Sequence, residues 1–395
     1  MKTLMSKVLI FFILIFGSQF IQAAKITLVP EGKLHLNVTN PDKGYSDLVL
    51  HSVLISTAQE ELFTVSEVRI DLMSKERVVL SKSLPMERIV GETQGVAQMA
   101  AQGLGAFLNA QILTRNGFRE LFGRELQAAS SSELKPNEVL MLTRQHFSLD
   151  FVPDQLRVTI HGINALDEEE VLHVSTAVES YNSPVSYTTP LRGAWLMTSL
   201  PSIQSHHRLN PPTEFAVDFF RPDGEGKIYT GDPQEASAFF GFGAEVLAAA
   251  AGEVVFIIDD EVQDRAAYLP REGETPRQTS DRVSFYNMKR YAEDFQRAAA
   301  GNLITIRHQV DGVSEYSSYG HLKSGSVRVA VGDLVERGQA IAEVGDTGDS
   351  AAVHLHFQVN NDVNVFASKS LPISFSDLEQ VLGGVDPGQF VKSSL

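Results

Sequence analysis

The sequence predicts a mainly β protein in two parts: a β-rich accessory domain with a helical insertion, followed by an antiparallel sheet or barrel-like domain. Three observations predict it. Short runs alternating apolar and polar residues recur in both halves, the period of half-buried strands. One stretch, residues 92–124, switches to helical spacing. A chain of 395 residues also exceeds what one ordinary core holds, which favours two domains.

The opening residues stand apart. Lys2 and Lys7 precede an unbroken apolar run from Val8 to Phe16, and small residues close the segment at Ala23 and Ala24. That order reads as a cleavable secretory leader over residues 1–24, too short to span a bilayer. The expected location is therefore the periplasm or the extracellular space, with no stable membrane insertion once the leader is gone.

From Lys25 onward, Lys33-Leu34-His35-Leu36-Asn37-Val38 and Val68-Arg69-Ile70-Asp71-Leu72 alternate as strands do. Residues 92–124 then become rich in Ala, Leu, Gln and Met, with Gln94, Gln98 and Gln102 forming a polar stripe every four residues, so a helical insertion is expected. Alternation returns at Leu156–Ile160 and Val171–Val178, ahead of breaks at Pro184 and Pro190. A sandwich-like accessory domain over residues 25–190 fits this order. The remainder, residues 191–395, is again strand-rich at Val254–Ile258, Leu303–Ile306 and Val327–Val329. A charged insertion, about 259–300, interrupts it and is expected to be partly helical near 286–299.

Composition narrows the chemistry. The formal charge is -16, and removing Lys2 and Lys7 with the leader takes it to -18, so nucleic acid is not an expected partner. With no cysteine, disulfides and thiolate metal sites are excluded, and His, Asp and Glu are the available ligands. Six of the eleven histidines fall in the second half. His35, His51, His146, His161, His173 and His308 read as structural. The others run His206-His207, then Asp218, His321 and His354-Leu355-His356. On a strand, the last triplet projects both imidazoles to one face.

The surroundings of those histidines are more specific than the histidines alone. Tyr319-Gly320-His321-Leu322, Val331-Gly332-Asp333 through Ala342, Val344-Gly345-Asp346-Thr347-Gly348 and His354-Leu355-His356-Phe357 follow one another, with Phe242 to Val255 upstream. Over about residues 203–365 the chain closely resembles the lysostaphin/LytM-type zinc endopeptidases. The resemblance implies a zinc metalloendopeptidase acting on peptidoglycan peptides, with metal ligands His207, Asp218 and His356 and catalytic histidines His321 and His354. Three N and O ligands leave the fourth position of tetrahedral Zn²⁺ open for water.

One departure concerns the early ligand. The family pattern puts three residues between that His and the Asp, whereas ten separate His207 from Asp218, and adjacent His206 is the alternative. If neither binds metal, a non-catalytic LytM-like module that binds the wall or activates a wall hydrolase is the competing reading, and a regulatory protein partner stays open. The glycine-rich hairpin Val331–Gly348 is also similar to biotinyl and lipoyl carrier domains. Such carriers need a modifiable Lys in a tripeptide at the hairpin tip, and Lys323 is the only Lys between Leu322 and His356.

Overall fold

In a computed structural model, residues 24–40, 44–57, 61–115, 117–198, 205–380 and 389–393 are described. The leader expected over residues 1–24 lies outside them except for Ala24, which begins the first strand, Ala24–Val29.

Alternation builds the accessory domain. In strand Phe63–Ser74, Val68, Ile70 and Leu72 are fully buried. They pair with Ile160, Val158 and Leu156 of strand Gln155–Asn164, which face the same core. Each such side chain contributes roughly 1.5–3 kcal/mol by leaving water. This sheet, of six strands, packs on a second of five through Leu48, Leu50, Leu140 and Leu142. Strand Tyr45–Thr57 is buried along both faces from Ser46 onward. Leu48 and Leu50 turn into the sandwich, while Leu54 turns outward to a separate cluster with Leu108, Ile112 and Leu126.

That cluster seats the helical insertion. It starts earlier than its sequence pattern suggested, at Met86–Met99 after Pro85, and continues through π-helical turns Ala100–Leu104 and Asn109–Leu113 to helix Phe118–Phe122. Gly103, at φ 96°, supplies the kink. Among the described residues no helix is long and apolar enough to cross a membrane.

The second half is organised on a nine-stranded sheet in which every pairing is antiparallel. Among the described residues no sheet closes, so the barrel-like expectation resolves as an open sheet. Its middle is formed by Asn302–Val310, Val313–Leu322, Leu355–Asn360 and Val217–Phe220, in that spatial order. Two local expectations are corrected. Val327–Val329 forms no strand, and the run 331–348 is not a hairpin: Leu334–Val335 pairs with Gly252–Ile258, and Ala340–Glu343 with Glu245–Leu247. Alternation alone could not show that this segment's hydrogen-bond partners lie elsewhere in sequence.

The charged insertion is more helical than expected: Arg265–Tyr268, Pro276–Glu293 and Phe295–Ala300. Thr275 and Gln278 form a reciprocal capping box at the long helix's start. Asn287 and Tyr291 fasten that helix to the Asp349 carboxylate, with Asn287 Nδ2 donating over 2.6 Å.

Candidate active site

Antiparallel pairing sets the site. His356 stands opposite Asp218 on one side and Gly320 on the other. Cross-strand partners share a face, so the Asp218 and His356 side chains meet. Asp218 Oδ1 lies 3.0 Å from His356 Nδ1, and Asp218 Oδ2 lies 3.0 Å from His207 Nε2. All three are buried, whereas His206 is exposed beside them, its ring centroid 3.9 Å from that of His207. Ligand atoms of His206, His207 and Asp218 lie within 4.8 Å of one another. The structure thus brings His207, Asp218 and His356 together, and keeps His206 within reach.

The hydrogen bonds around His356 fix where its proton sits. Gln358 Nε2 donates to Pro212 O at 3.1 Å and Asn360 Oδ1 at 2.6 Å, which fixes its amide so that Oε1 faces His356 Nε2 at 2.7 Å. An amide oxygen only accepts, so the proton of a neutral His356 sits on Nε2. Its Nδ1 lone pair then points at a carboxylate oxygen, two acceptors facing each other. A cation or a further proton belongs between them, and the donor set of two imidazoles and a carboxylate is one that zinc takes.

His321 and His354 sit next to this group, their rings 4.5 Å apart. His321 Nδ1 donates to Thr347 O at 2.7 Å, and His354 Nδ1 donates to Ala352 O at 2.8 Å. Both rings therefore carry an unprotonated Nε2 when neutral. His354 also stacks on Phe220, with ring centroids 4.8 Å apart and planes 15° apart. The placement of His321 is irregular: Gly320 and His321 together oppose Leu303, and His321 has φ 58°. In an unbroken strand His321 would face away from the row containing His356; the bulge and left-handed backbone turn it back.

Burial favours the neutral form of His207, His321 and His354. It pushes His207 down to about 4 against the pull of Asp218, and holds His321 well below the ordinary histidine value, helped by His354 and His356. His354 is likewise lowered by burial, with Asp218 opposing. His356 is raised, because the hydrogen bond and charge of Asp218 together outweigh burial, the largest single influence. For Asp218 burial is again the largest influence and acts upward, but His207, His354 and His356 together hold the carboxyl well below its usual range. Neutral nitrogens and an ionised carboxylate are the forms that ligate metal.

The cavity over these groups has a volume of about 540 Å³. One wall is Tyr291, Phe295 and Ala299 from the charged insertion, and another is Phe107 and Gln111 from the accessory domain's helical insertion. Phe107 stacks on Tyr291 with ring centroids 5.5 Å apart, so the two insertions touch beside the histidines.

Sequence reasoning missed Gln358, Thr347 and Phe107. A signal existed for the first, since His354, His356, Gln358 and Asn360 continue one period-two row of polar residues. Glu214 was also passed over, although it stands where three intervening residues before Asp218 would put the early His. Its carboxylate is engaged elsewhere: Oε1 accepts from Arg208 and Oε2 lies 2.9 Å from His51 Nε2.

Residues 288–367 match the model of peptidase family M23, a stretch that contains His321, His354 and His356 and leaves His207 and Asp218 upstream. Among solved structures, the chain is similar to the catalytic domain of lysostaphin from Staphylococcus simulans, at 21% identity over 48% of this chain and 88% of that one, TM-score 0.24. A zinc-containing peptidase from Vibrio cholerae matches at 14% identity over 82% of this chain and 81% of that one, TM-score 0.25. Csd3 from Helicobacter pylori matches at 12% identity over 83% and 70%, TM-score 0.26. No curated protein matches the chain.

Proposed function

With a peptidase family M23 segment at residues 288–367 as the premise, we propose that the chain is an exported zinc endopeptidase that hydrolyses peptide bonds of cell-wall peptidoglycan. The observation that carries the reading is the Asp218 carboxylate with an imidazole nitrogen 3.0 Å from each oxygen, one of them unprotonated because Gln358 holds the proton at the far side of the ring.

His207, Asp218 and His356 would hold the metal. The chemistry a zinc ion supplies at such a donor set is polarisation of the scissile carbonyl and acidification of a water. The remaining work falls to the protein's own groups. His321 and His354, each with Nδ1–H anchored on a backbone carbonyl, present two Nε2 atoms to the reacting centre. A proton taken from the attacking water at one Nε2 makes an imidazolium. That cation then hydrogen-bonds the tetrahedral oxyanion and returns the proton to the leaving amine. Exclusion of bulk water by the aromatic walls strengthens these interactions.

The test uses residues 25–395 incubated with isolated sacculi, read by muropeptide mass analysis beside bound zinc. Cleavage abolished by EDTA and restored by Zn²⁺ is expected. Undiminished cleavage by His356→Ala protein defeats the mechanism; a wild-type protein that carries no zinc and cuts nothing supports the non-catalytic module instead.

A further inference from the structure

The loop between His207 and Asp218 is closed by charge and gripped from the other domain. Arg208, adjacent to His207, is fully buried. Its Nε donates to Asp47 Oδ1 at 2.9 Å, its Nη2 donates to the same oxygen, and its Nη1 donates to Glu214 Oε1. The guanidinium also lies 5.1 Å over the Phe215 ring. Glu214, four residues before Asp218, turns its other oxygen to His51 Nε2 at 2.9 Å. Asp47 is itself held by Asn37 Nδ2 at 2.7 Å.

Asp47 and His51 belong to strand Tyr45–Thr57 of the accessory sheet, paired on both sides. One strand thus grasps the loop at two points: beside the first ligand through Arg208, and ahead of the second through Glu214. The long spacing between His207 and Asp218 is drawn shut by the Arg208–Glu214 ion pair, and that pair is fixed from outside by Asp47 and His51. Buried ion clusters are poor glue, since apolar replacements are commonly as stable, and their best-attested use is to specify one register. Register is what this site needs: His207 and His356 must bring lone pairs up to one carboxylate before any cation is present to offset their mutual repulsion.

We propose that Asp47 and His51 are positioning residues for the metal: acting through Arg208 and Glu214, they set the separation of His207 from Asp218, so the accessory domain is a structural part of the zinc site. This rests on the reading that His207, Asp218 and His356 hold zinc.

The experiment measures zinc dissociation by competition with a chromophoric chelator, and the d–d spectrum of the cobalt-substituted protein, for full-length mature wild type, Asp47→Asn and His51→Leu. Melting of each apo form is recorded alongside. Loss of a partner hydrogen-bonded directly to a ligand weakens metal binding about 10–100-fold; Asp47 and His51 act one residue further out, so both variants are expected near the lower figure, about 10-fold, with an altered cobalt spectrum. Ile70→Val, a core change in the same domain, should lower the melting temperature and leave affinity and spectrum alone. Where Asp47→Asn does not fold, His51→Leu carries the same readout without removing a charge. Folded variants that bind zinc within twofold of wild type, with an unchanged spectrum, overturn the proposal while leaving the metal reading intact. A wild type that binds no zinc, or His356→Ala that binds it equally well, removes the metal reading and this inference with it.

Discussion

Replacing Gly301 with alanine should displace the carbonyl that holds His321 without touching His207, Asp218 or His356. Gly301 has φ 64° and ψ -136°, a backbone region close to one that only glycine occupies at low cost. A Cβ there would lie 2.3 Å from the Thr347 carbonyl carbon and 2.4 Å from its oxygen, the atom that accepts from His321 Nδ1. Ordinary carbon contacts begin near 3.5 Å, so Thr347 must retreat by about 1 Å. It cannot do so freely, because Thr347 Oγ1 accepts from Asn302 N and donates to Leu322 O, each at 2.8 Å. Misplacing a catalytic group by 1 Å costs about 100-fold in rate, equivalent to about 2.7 kcal/mol of barrier. Backbone strain adds roughly 1–3 kcal/mol of destabilisation. The assay is kcat/KM on a soluble cross-linked muropeptide, with zinc content and melting temperature measured on the same preparation. Expected are a fall of about 100-fold in kcat/KM, carried by kcat, and full zinc occupancy. Gly312→Ala is the control: it also has positive φ, 80°, but meets nothing within 4 Å, so it should keep its rate. A folded, zinc-loaded Gly301→Ala enzyme with wild-type kcat/KM would refute the role given to His321.

Gln358→Leu leaves His356 Nε2–H without its acceptor and frees the ring to change tautomer; zinc affinity should fall about 10–100-fold, read by chelator competition. Phe107→Ala removes the accessory domain's aromatic wall from the cavity; cleavage of sacculi relative to a short peptide should rise severalfold at unchanged zinc content, and an unchanged ratio would mean the wall does not limit access. Acid should weaken the fold through His35 and His51, each lowered from 6.5 to about 3, chiefly by burial. Because the folded state takes up these protons less readily, their contribution is complete above about pH 6.5 and declines as pH falls toward 3. At pH 5 this amounts to roughly 2 kcal/mol for each group, an upper figure for His51 because Glu214 faces it. Melting of the metal-free protein at pH 7 and pH 5 checks it, and His51→Leu should shrink the difference.

Much of the site was readable from side-chain order because it is built on strands. His354 and His356 share a face by simple alternation, and the antiparallel register opposite Asp218 does the rest. The helical insertion announced itself through its glutamine stripe, though its start moved to Met86 because Pro85 sets the boundary and the first turn carries little periodicity. What stayed hidden was tertiary. Nothing in local pattern says that Arg208 pairs with Asp47, 161 residues away, or that Glu214 turns from the site toward His51. His51 read as a structural core histidine, which describes its burial but not its partner. His321 is reached by a bulge whose existence depends on the neighbouring strand, and Val327–Val329 alternates like a strand without a ladder to join.

Strand Tyr45–Thr57 has a consequence for how the molecule comes apart. Its residues serve three environments at once: Leu48 and Leu50 the sandwich, Leu54 the helical insertion, and Asp47 with His51 the loop bearing His207. The change of sheet between Glu179 and Ala194 is therefore a seam in topology rather than in energy. Separating the two halves there would leave the Arg208–Glu214 pair in the fragment bearing the histidines, stripped of the Asp47 carboxylate and the His51 imidazole that brace it in the intact molecule.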